Sequence, residues 1–225
     1  MVAIEQPTRP KQRGQLSREL ILDATRNLLD EHGLEALSMR AVANAVGSSP
    51  MALYRYVSDR RDLEIAVAQL VSVELELIDD PTVAPDEAIA TWMRKVRAHW
   101  LRHPWIGPLL GEHPELAEFI VAVGTALAGA LERAGASARI IGEEVIHITR
   151  TTLGVVLLEQ SAPLAQRADS LAWRSGEGSG SAIARAAGAI DDDQLFELVI
   201  HSTIAGLEAR LAVSAPYQGG MYVHH

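Results

Sequence analysis

The stretch Ser38-Met39-Arg40-Ala41-Val42-Ala43-Asn44-Ala45-Val46-Gly47-Ser48-Ser49-Pro50-Met51-Ala52-Leu53-Tyr54-Arg55-Tyr56-Val57 decides how this chain is read. Ser38 stands where a helix cap belongs, Val42, Ala45 and Val46 give the following helix one apolar face, and Gly47 ends it. Ser48-Ser49-Pro50 then sets a serine cap before a proline at the first helical position, where the missing N–H removes no helical bond. The spacing predicts a second short helix over Pro50 to Tyr56, with Leu53 and Val57 one turn apart for the core. Met51, Ala52, Tyr54, Arg55 and Tyr56 are left for its other faces. Two short helices joined through a glycine can dock as a helix-turn-helix whose second helix enters the DNA major groove. Ordinary helical packing produces the same local pattern, so its surroundings must decide.

Upstream, Leu20, Ile21, Ala24, Leu28 and Leu29 recur at helical spacing between a Ser17 cap and Gly33. Downstream, Ser58 or Asp59 caps a fourth helix that runs through Leu63, Val67 and Leu70 to about Ile78 and is closed by Asp79-Asp80-Pro81. From Pro85 onward no stretch alternates with period two, and helical segments are predicted near 86–102, 104–111, 114–134, 137–161 and 191–213. The expected fold is all-α. A basic arm over 1–16 precedes a helix-turn-helix domain over 17–62, then a larger helical domain over 63–215 and a tail over 216–225. Ser175-Gly176-Glu177-Gly178-Ser179-Gly180-Ser181 reads as a flexible loop between the last two long helices.

The 225 residues contain 48% hydrophobic side chains, enough for a real core, and no cysteine. Disulfides, thiolate metal sites and cysteine nucleophiles are thereby excluded. The polar start lacks the apolar segment of a secretory signal, and the run Phe119 to Leu131 is too short to span a bilayer, which takes about 20 residues. A soluble, cytoplasmic protein without membrane partners is expected. The net charge of −9 is unevenly spread: residues 1–62 hold nine Lys/Arg against eight Asp/Glu, residues 63–225 hold 11 against 21. Arg9, Lys11, Arg13 and Arg18 form a basic arm suited to tracking phosphates, or equally a solvated tail.

Residues 17 to 70 resemble the N-terminal domain of the TetR family. The resemblance is carried by Asp30-Glu31-His32-Gly33-Leu34-Glu35-Ala36-Leu37-Ser38-Met39-Arg40, Val42-Ala43, Gly47, Leu53-Tyr54-Arg55-Tyr56-Val57 and Arg60-Arg61-Asp62-Leu63. It implies a DNA-binding transcriptional regulator, most often a repressor. It implies that Arg40, Ser48, Ser49, Pro50, Met51 and Ala52 lie at the groove, Tyr54, Tyr56 and Arg60 on the DNA backbone, and Arg55 at either. Pro50 and Met51 stand where many members carry a polar or basic residue, which favours apolar contact with thymine methyls.

Further along, Thr152-Leu153-Gly154-Val155-Val156-Leu157-Leu158-Glu159-Gln160 and Ala205-Gly206-Leu207-Glu208-Ala209-Arg210-Leu211 resemble the two dimerisation helices of the tetracycline-repressor branch. The resemblance implies a homodimer, with Gly154, Ala205 and Gly206 permitting close approach and Val156, Leu157, Leu207 and Leu211 supplying buried area; the same residues also suit a core within one chain. Two reading heads suit a palindromic operator with half-sites about 34–36 Å apart. Where that branch ligates magnesium, this chain has Leu109 or Leu110 and Leu158, so neither metal nor cofactor is expected; only a shifted alignment would bring in His113 and Glu159.

A small apolar or aromatic effector is expected instead, in a pocket among Trp92, Val96, Trp100, Trp105, Leu109, Phe119, Val123, His147 and Thr151. Trp92, Val96 and Trp100 share one helix face, His147 and Thr151 another. Plain core packing is the competing reading of each. His99 and His103 at i, i+4 with Glu112 and His113 downstream offer an enzyme or metal-site reading, weakened because no glutamate follows His99 and Pro104 ends the helix. A regulator controlled by a protein partner, without small effector, is the other alternative. The expected mechanism is repression relieved when an effector in the second domain tilts the fourth helix and alters the separation of the reading heads.

Overall fold

The computed structural model describes residues 16–161 and 191–214. The basic arm up to residue 15, the Ser175–Ser181 loop and the tail after 215 lie outside the described residues. All regular elements described are helical: α1 (Arg18–His32), α2 (Met39–Ala45), α3 (Pro50–Leu53), α4 (Arg60–Val73), α5 (Pro85–Arg102), α6 (Ile106–Glu112), α7 (Ala117–Arg133), α8 (Ala138–Ser161) and α9 (Asp192–Ser214). Short 3-10 turns occupy Leu34–Ala36 and Pro114–Leu116. Two compact units divide within α4, between Leu70 and Val71, rather than before Leu63.

The first unit is built by its caps. The Ser17 hydroxyl accepts from Leu20 N at 3.2 Å, Ser38 accepts from Ala41 N at 3.1 Å, and Asp59 Oδ1 accepts from Asp62 N at 2.8 Å, so Asp59 rather than Ser58 caps α4. Asp62 returns the contact by accepting from Ser58 N and its hydroxyl at 2.8 and 3.0 Å. Ile21, Leu22 and Leu29 of α1 are buried with Leu37, Val42, Ala43, Leu53, Val57 and Leu63. Each of the larger side chains contributes about 1.5–3 kcal/mol on leaving water. In α2 the inward positions are Val42 and Ala43, while Ala45 is exposed, because a seven-residue helix turns a narrower face inward than the pattern suggests.

Two helices end earlier than their spacing predicts. α3 is a single turn, and residues 54–56 form a turn in which Tyr56 N and Val57 N both donate to Leu53 O. α4 stops at Val73: Glu74 N and Leu75 N bond back only three residues and Glu76 N and Leu77 N only two, so the helix tightens and unwinds. Glu74 and Glu76 place negative charge at the negative end of the helix dipole, and no basic residue offsets them in its last turn.

In the second unit α5 packs against α7, α8 and α9. Its buried face is Ile89, Ala90, Trp92, Met93, Val96, His99 and Trp100. Val123, Leu127, Ala130 and Leu131 of α7, Ile140, Ile148, Thr152 and Val156 of α8, and Phe196, Ile200 and Leu207 of α9 are buried as well. Charged clasps fix the helices: Arg97 bonds Glu159 through two nitrogens at 2.9 and 2.7 Å, reaches Asp193 at 2.7 Å, and lies 4.9 Å over the Phe196 ring. Arg210 of α9 joins Glu143 and the buried Glu144 of α8.

Candidate nucleic-acid interface and sensor domain

The turn between α2 and α3 rests on Gly47, whose φ of +64° only glycine adopts without strain, and on Ser48 N, which donates to Ala43 O at 2.8 Å. The chain then presents Ser49, Pro50, Met51, Tyr54 and Arg55 as exposed residues, Met51 at 77%, while Leu53 is fully buried beneath them. Ser48 and Ala52 are half-buried. Arg40 on α2 and Arg55 after α3 are exposed, and neither forms an ion pair among the described residues. A face with two uncompensated guanidinium groups, a tyrosine hydroxyl and an exposed thioether has the chemistry of a phosphate-tracking surface with an apolar reading edge.

Two expected backbone contacts are otherwise engaged. The Tyr56 hydroxyl donates to Leu16 O at 2.6 Å, and Arg60 bonds Glu64 at 2.7 Å through Nε and Leu34 O at 3.4 Å through Nη2. Glu64 is buried, so Arg60 supplies its counter-charge and fastens α4 to the 3-10 turn after Gly33. The i, i+4 spacing of Arg60 and Glu64 is the sequence signal for this pairing.

The sensor residues sort into core and surface. Trp92, Val96, Trp100, Trp105, Leu109 and Val123 are buried, and the Trp92 indole donates to Val123 O at 2.9 Å. The side chain of Phe119 lies outside the described residues. His147 is exposed and Thr151 half-buried: the inward face of α8 runs through Glu144, Ile148, Thr152 and Val156, one position away from the expected line. His99, His103 and His113 are buried; the His99 and His103 rings meet edge-on at 4.9 Å, and His103 meets Trp105 at 5.8 Å. Among the described residues no three His, Cys, Asp or Glu side chains are grouped to hold a metal ion. Leu158 is exposed and Glu159 is bound to Arg97.

Of the expected pocket residues, Trp92 also lines a cleft of ≈290 Å³ formed with Leu77, Ile78, Asp79, Asp80, Val83, Ala88, Thr91, Lys95 and Ala126. The apolar spacing leads from Trp92 toward Val96 and Trp100 and passes over Ala88, Thr91 and Lys95, which share its other flank at i−4, i−1 and i+3. The segment Leu77–Val83, which in the sequence marks only a helix break, forms one wall. Thr82 donates through its hydroxyl and its N–H to Asp80 Oδ1 at 2.7 and 2.9 Å and holds that carboxyl below its usual range. Asp79 pairs with Arg133.

The expected dimer residues also divide. Val156 and Leu207 are buried in their own chain, on the faces of α8 and α9 that meet the core. Leu211 is half-buried. Gly154, Ala205 and Gly206 are exposed, and a Cβ on either glycine meets nothing within 4 Å. Leu157 is exposed at 37%, and Ile146, Leu158, Leu198 and Val213 are exposed on the same two helices.

Among solved structures, ActR from Streptomyces coelicolor without ligand superposes with a TM-score of 0.77 at 23% identity, covering 89% of this chain and 98% of that one; ActR is also known in complex with actinorhodin. BioQ, a protein of Mycobacterium smegmatis, in complex with its double-stranded DNA operator gives a TM-score of 0.64 at 22% identity, covering 87% and 99%. These likenesses establish the fold. The HTH-type transcriptional repressor DrrR1 of Streptomyces coeruleorubidus is 32% identical over 99 residues, 40% of this chain and 34% of that protein, so the chain spans about a third of its length. No helix among the described residues is long and apolar enough to cross a membrane. Residues 21–67, which hold most of α1, all of α2 and α3 and the first part of α4, match the bacterial regulatory proteins of the tetR family, so the chain carries an N-terminal domain of that family's type.

Proposed function

We propose that the protein is a cytoplasmic transcriptional regulator that acts as a homodimer, represses from a palindromic operator, and is released by a small apolar or aromatic effector. The observation that carries the DNA-binding part is the surface around α3: exposed Met51 and Tyr54 between Arg40 and Arg55, two cations without ion-pair partners among the described residues. Arg40 and the Ser48 and Ser49 hydroxyls suit polar groups in the groove, Pro50, Met51 and Ala52 suit thymine methyls, Tyr54 suits a phosphate oxygen, and Arg55 suits a base edge or a phosphate. The operator-bound BioQ structure, alike in fold, supports the reading.

The exposed Gly154, Leu157, Ala205 and Gly206 on α8 and α9 support association of two copies through these helices. The tryptophan-rich interior and the ActR–actinorhodin complex support an aromatic effector in the second domain. The effector acts only insofar as it prefers the conformation that cannot bind DNA. The test is a gel shift on DNA from upstream of the protein's own gene. The native chain retards it, and the double variant Arg40→Ala, Tyr54→Ala does not; an unaltered shift would remove the interface assignment.

A further inference from the structure

The segment that follows α4 lies back across α5 and α7. Lys95 Nζ of α5 donates to Glu76 O at 3.0 Å, and Asp79 pairs with Arg133 of α7. Asp79 sits so close over α7 that a Cβ at Gly129 would meet its carboxylate, which would then have to shift. The ≈290 Å³ cleft is enclosed by this segment, α5 and α7.

We propose that this cleft binds a small aromatic monocarboxylate, its ring system against Leu77, Val83, Trp92 and Ala126 and its carboxylate on Lys95 Nζ. The walls are apolar except for four side chains, Asp79, Asp80, Thr91 and Lys95. Asp79 has its counter-charge in Arg133. Asp80 is directed to Thr82 and stands in full solvent, where water and salt screen it. The Thr91 hydroxyl donates to Glu87 at 3.3 Å. Lys95 alone carries a charge that no carboxylate among the described residues meets, and of its three N–H bonds one is used, on a neutral carbonyl. The volume sits at the lower end of small-molecule sites, which suits a two-ring body. A ligand carboxylate takes the two remaining N–H groups of Lys95 and so comes to lie against the segment that α4 runs into. This last step rests on the effector reading above and places an effector away from the core packing formed by Val96, Trp100 and Trp105.

The full chain is titrated calorimetrically with 2-naphthoate, with 2-naphthylmethylamine as the cationic and 2-naphthamide as the neutral counterpart. One naphthoate per chain is expected to saturate, at least tenfold tighter than the amine or the amide. Lys95→Met, an exposed position that leaves the fold intact, is expected to lose that tenfold preference while still binding the amide. Ala126→Trp fills the cleft and abolishes all three, and a thermal melt of that variant confirms that it is folded. Absence of saturable naphthoate binding, equal or tighter binding of the amine, or an unaltered affinity in Lys95→Met overturns the site. None of these readouts uses DNA, so a failed gel shift and a failed titration are distinguishable.

Discussion

The Tyr56 hydroxyl donates to the main-chain carbonyl of Leu16 across 40 residues of sequence, tying the turn after α3 to the start of α1. The aromatic ring is half-buried and the carbonyl belongs to the chain just ahead of the Ser17 cap, so this bond closes the first unit upon itself. Tyr56→Phe is expected to lower the stability of that unit by about 1 kcal/mol, the net worth of one intramolecular hydrogen bond. Denaturant unfolding measures it. DNA affinity at fixed salt is expected to stay unchanged in the variant, because the hydroxyl is spent inside the domain; a loss of affinity in the folded variant would return Tyr56 to the phosphate backbone.

Arg40 and Arg60 are both arginines near the reading helix, and opposite outcomes are expected from them. Arg40→Ala removes an exposed cation that pairs with nothing among the described residues, so folding stability stays within about 0.5 kcal/mol while DNA affinity falls and its salt slope drops by about 1. Arg60→Ala strips the buried Glu64 of its guanidinium and is expected to cost about 1–2 kcal/mol of stability, tempered because the arginine is half exposed to water. Melting curves and fluorescence anisotropy on the same two variants separate the roles.

Gly47 holds φ at +64° in the turn between α2 and α3, and a Cβ there meets no atom within 4 Å. Space is therefore available and only backbone conformation resists a side chain. Gly47→Ala is expected to destabilise by about 1–2 kcal/mol, and Gly47→Asn by less, since asparagine tolerates the left-handed region better. Equal losses in the two variants would show that crowding, not φ, sets the cost.

The caps and the turn were legible because their chemistry is local: Ser17, Ser38 and Gly47 act on neighbours three or four residues away. The core of the first unit was legible because helical period alone orders Ile21, Leu29, Leu53 and Leu63. What failed was phase and partnership. α8 turned by one position puts Thr152 inside and His147 out, a shift of about 100° that a helix apolar on several sides does not announce. The end of α4 and the cleft behind it depend on Asp79, on Lys95 of α5 and on Gly129 and Arg133 of α7, three stretches far apart in the chain whose meeting no local pattern encodes.

Acid should loosen the second domain in a defined direction. The Arg94 guanidinium holds the Glu197 carboxyl below its ordinary value, and Arg139 followed by Arg210 does the same to Glu143. A carboxyl with a lowered folded pKa contributes stability above its unfolded value of 4.5 and loses it as the pH falls through the folded value. The melting temperature is expected to be flat above about pH 5.5 and to fall below about pH 4.5, with a shallower fall in Arg94→Gln. An identical acid limb in that variant would mean that other carboxylates govern it. High salt is expected to weaken the same limb, since both glutamates face water.

Leu207 and Ala205 are two residues apart on α9 and face different surroundings: Leu207 is 4% exposed against its own chain, and Ala205 is exposed. Leu207→Ala is expected to cost about 2–4 kcal/mol of folding stability through the cavity it leaves, with its melting lowered at every protein concentration. Ala205→Glu, together with Gly154→Arg on α8, meets no atom of its own chain at the glycine and is expected to leave the folded subunit intact. If two copies pair through these helices, the double variant brings buried charge and bulk into a close-approach seam and dissociates them, which sedimentation velocity reads as a halved mass. A native chain that sediments as a monomer at micromolar concentration, or a double variant that keeps the native mass, would place the pairing surface elsewhere. Because operator binding by two heads depends on association, dissociation is expected to cost DNA affinity steeply even though neither substituted residue belongs to α3.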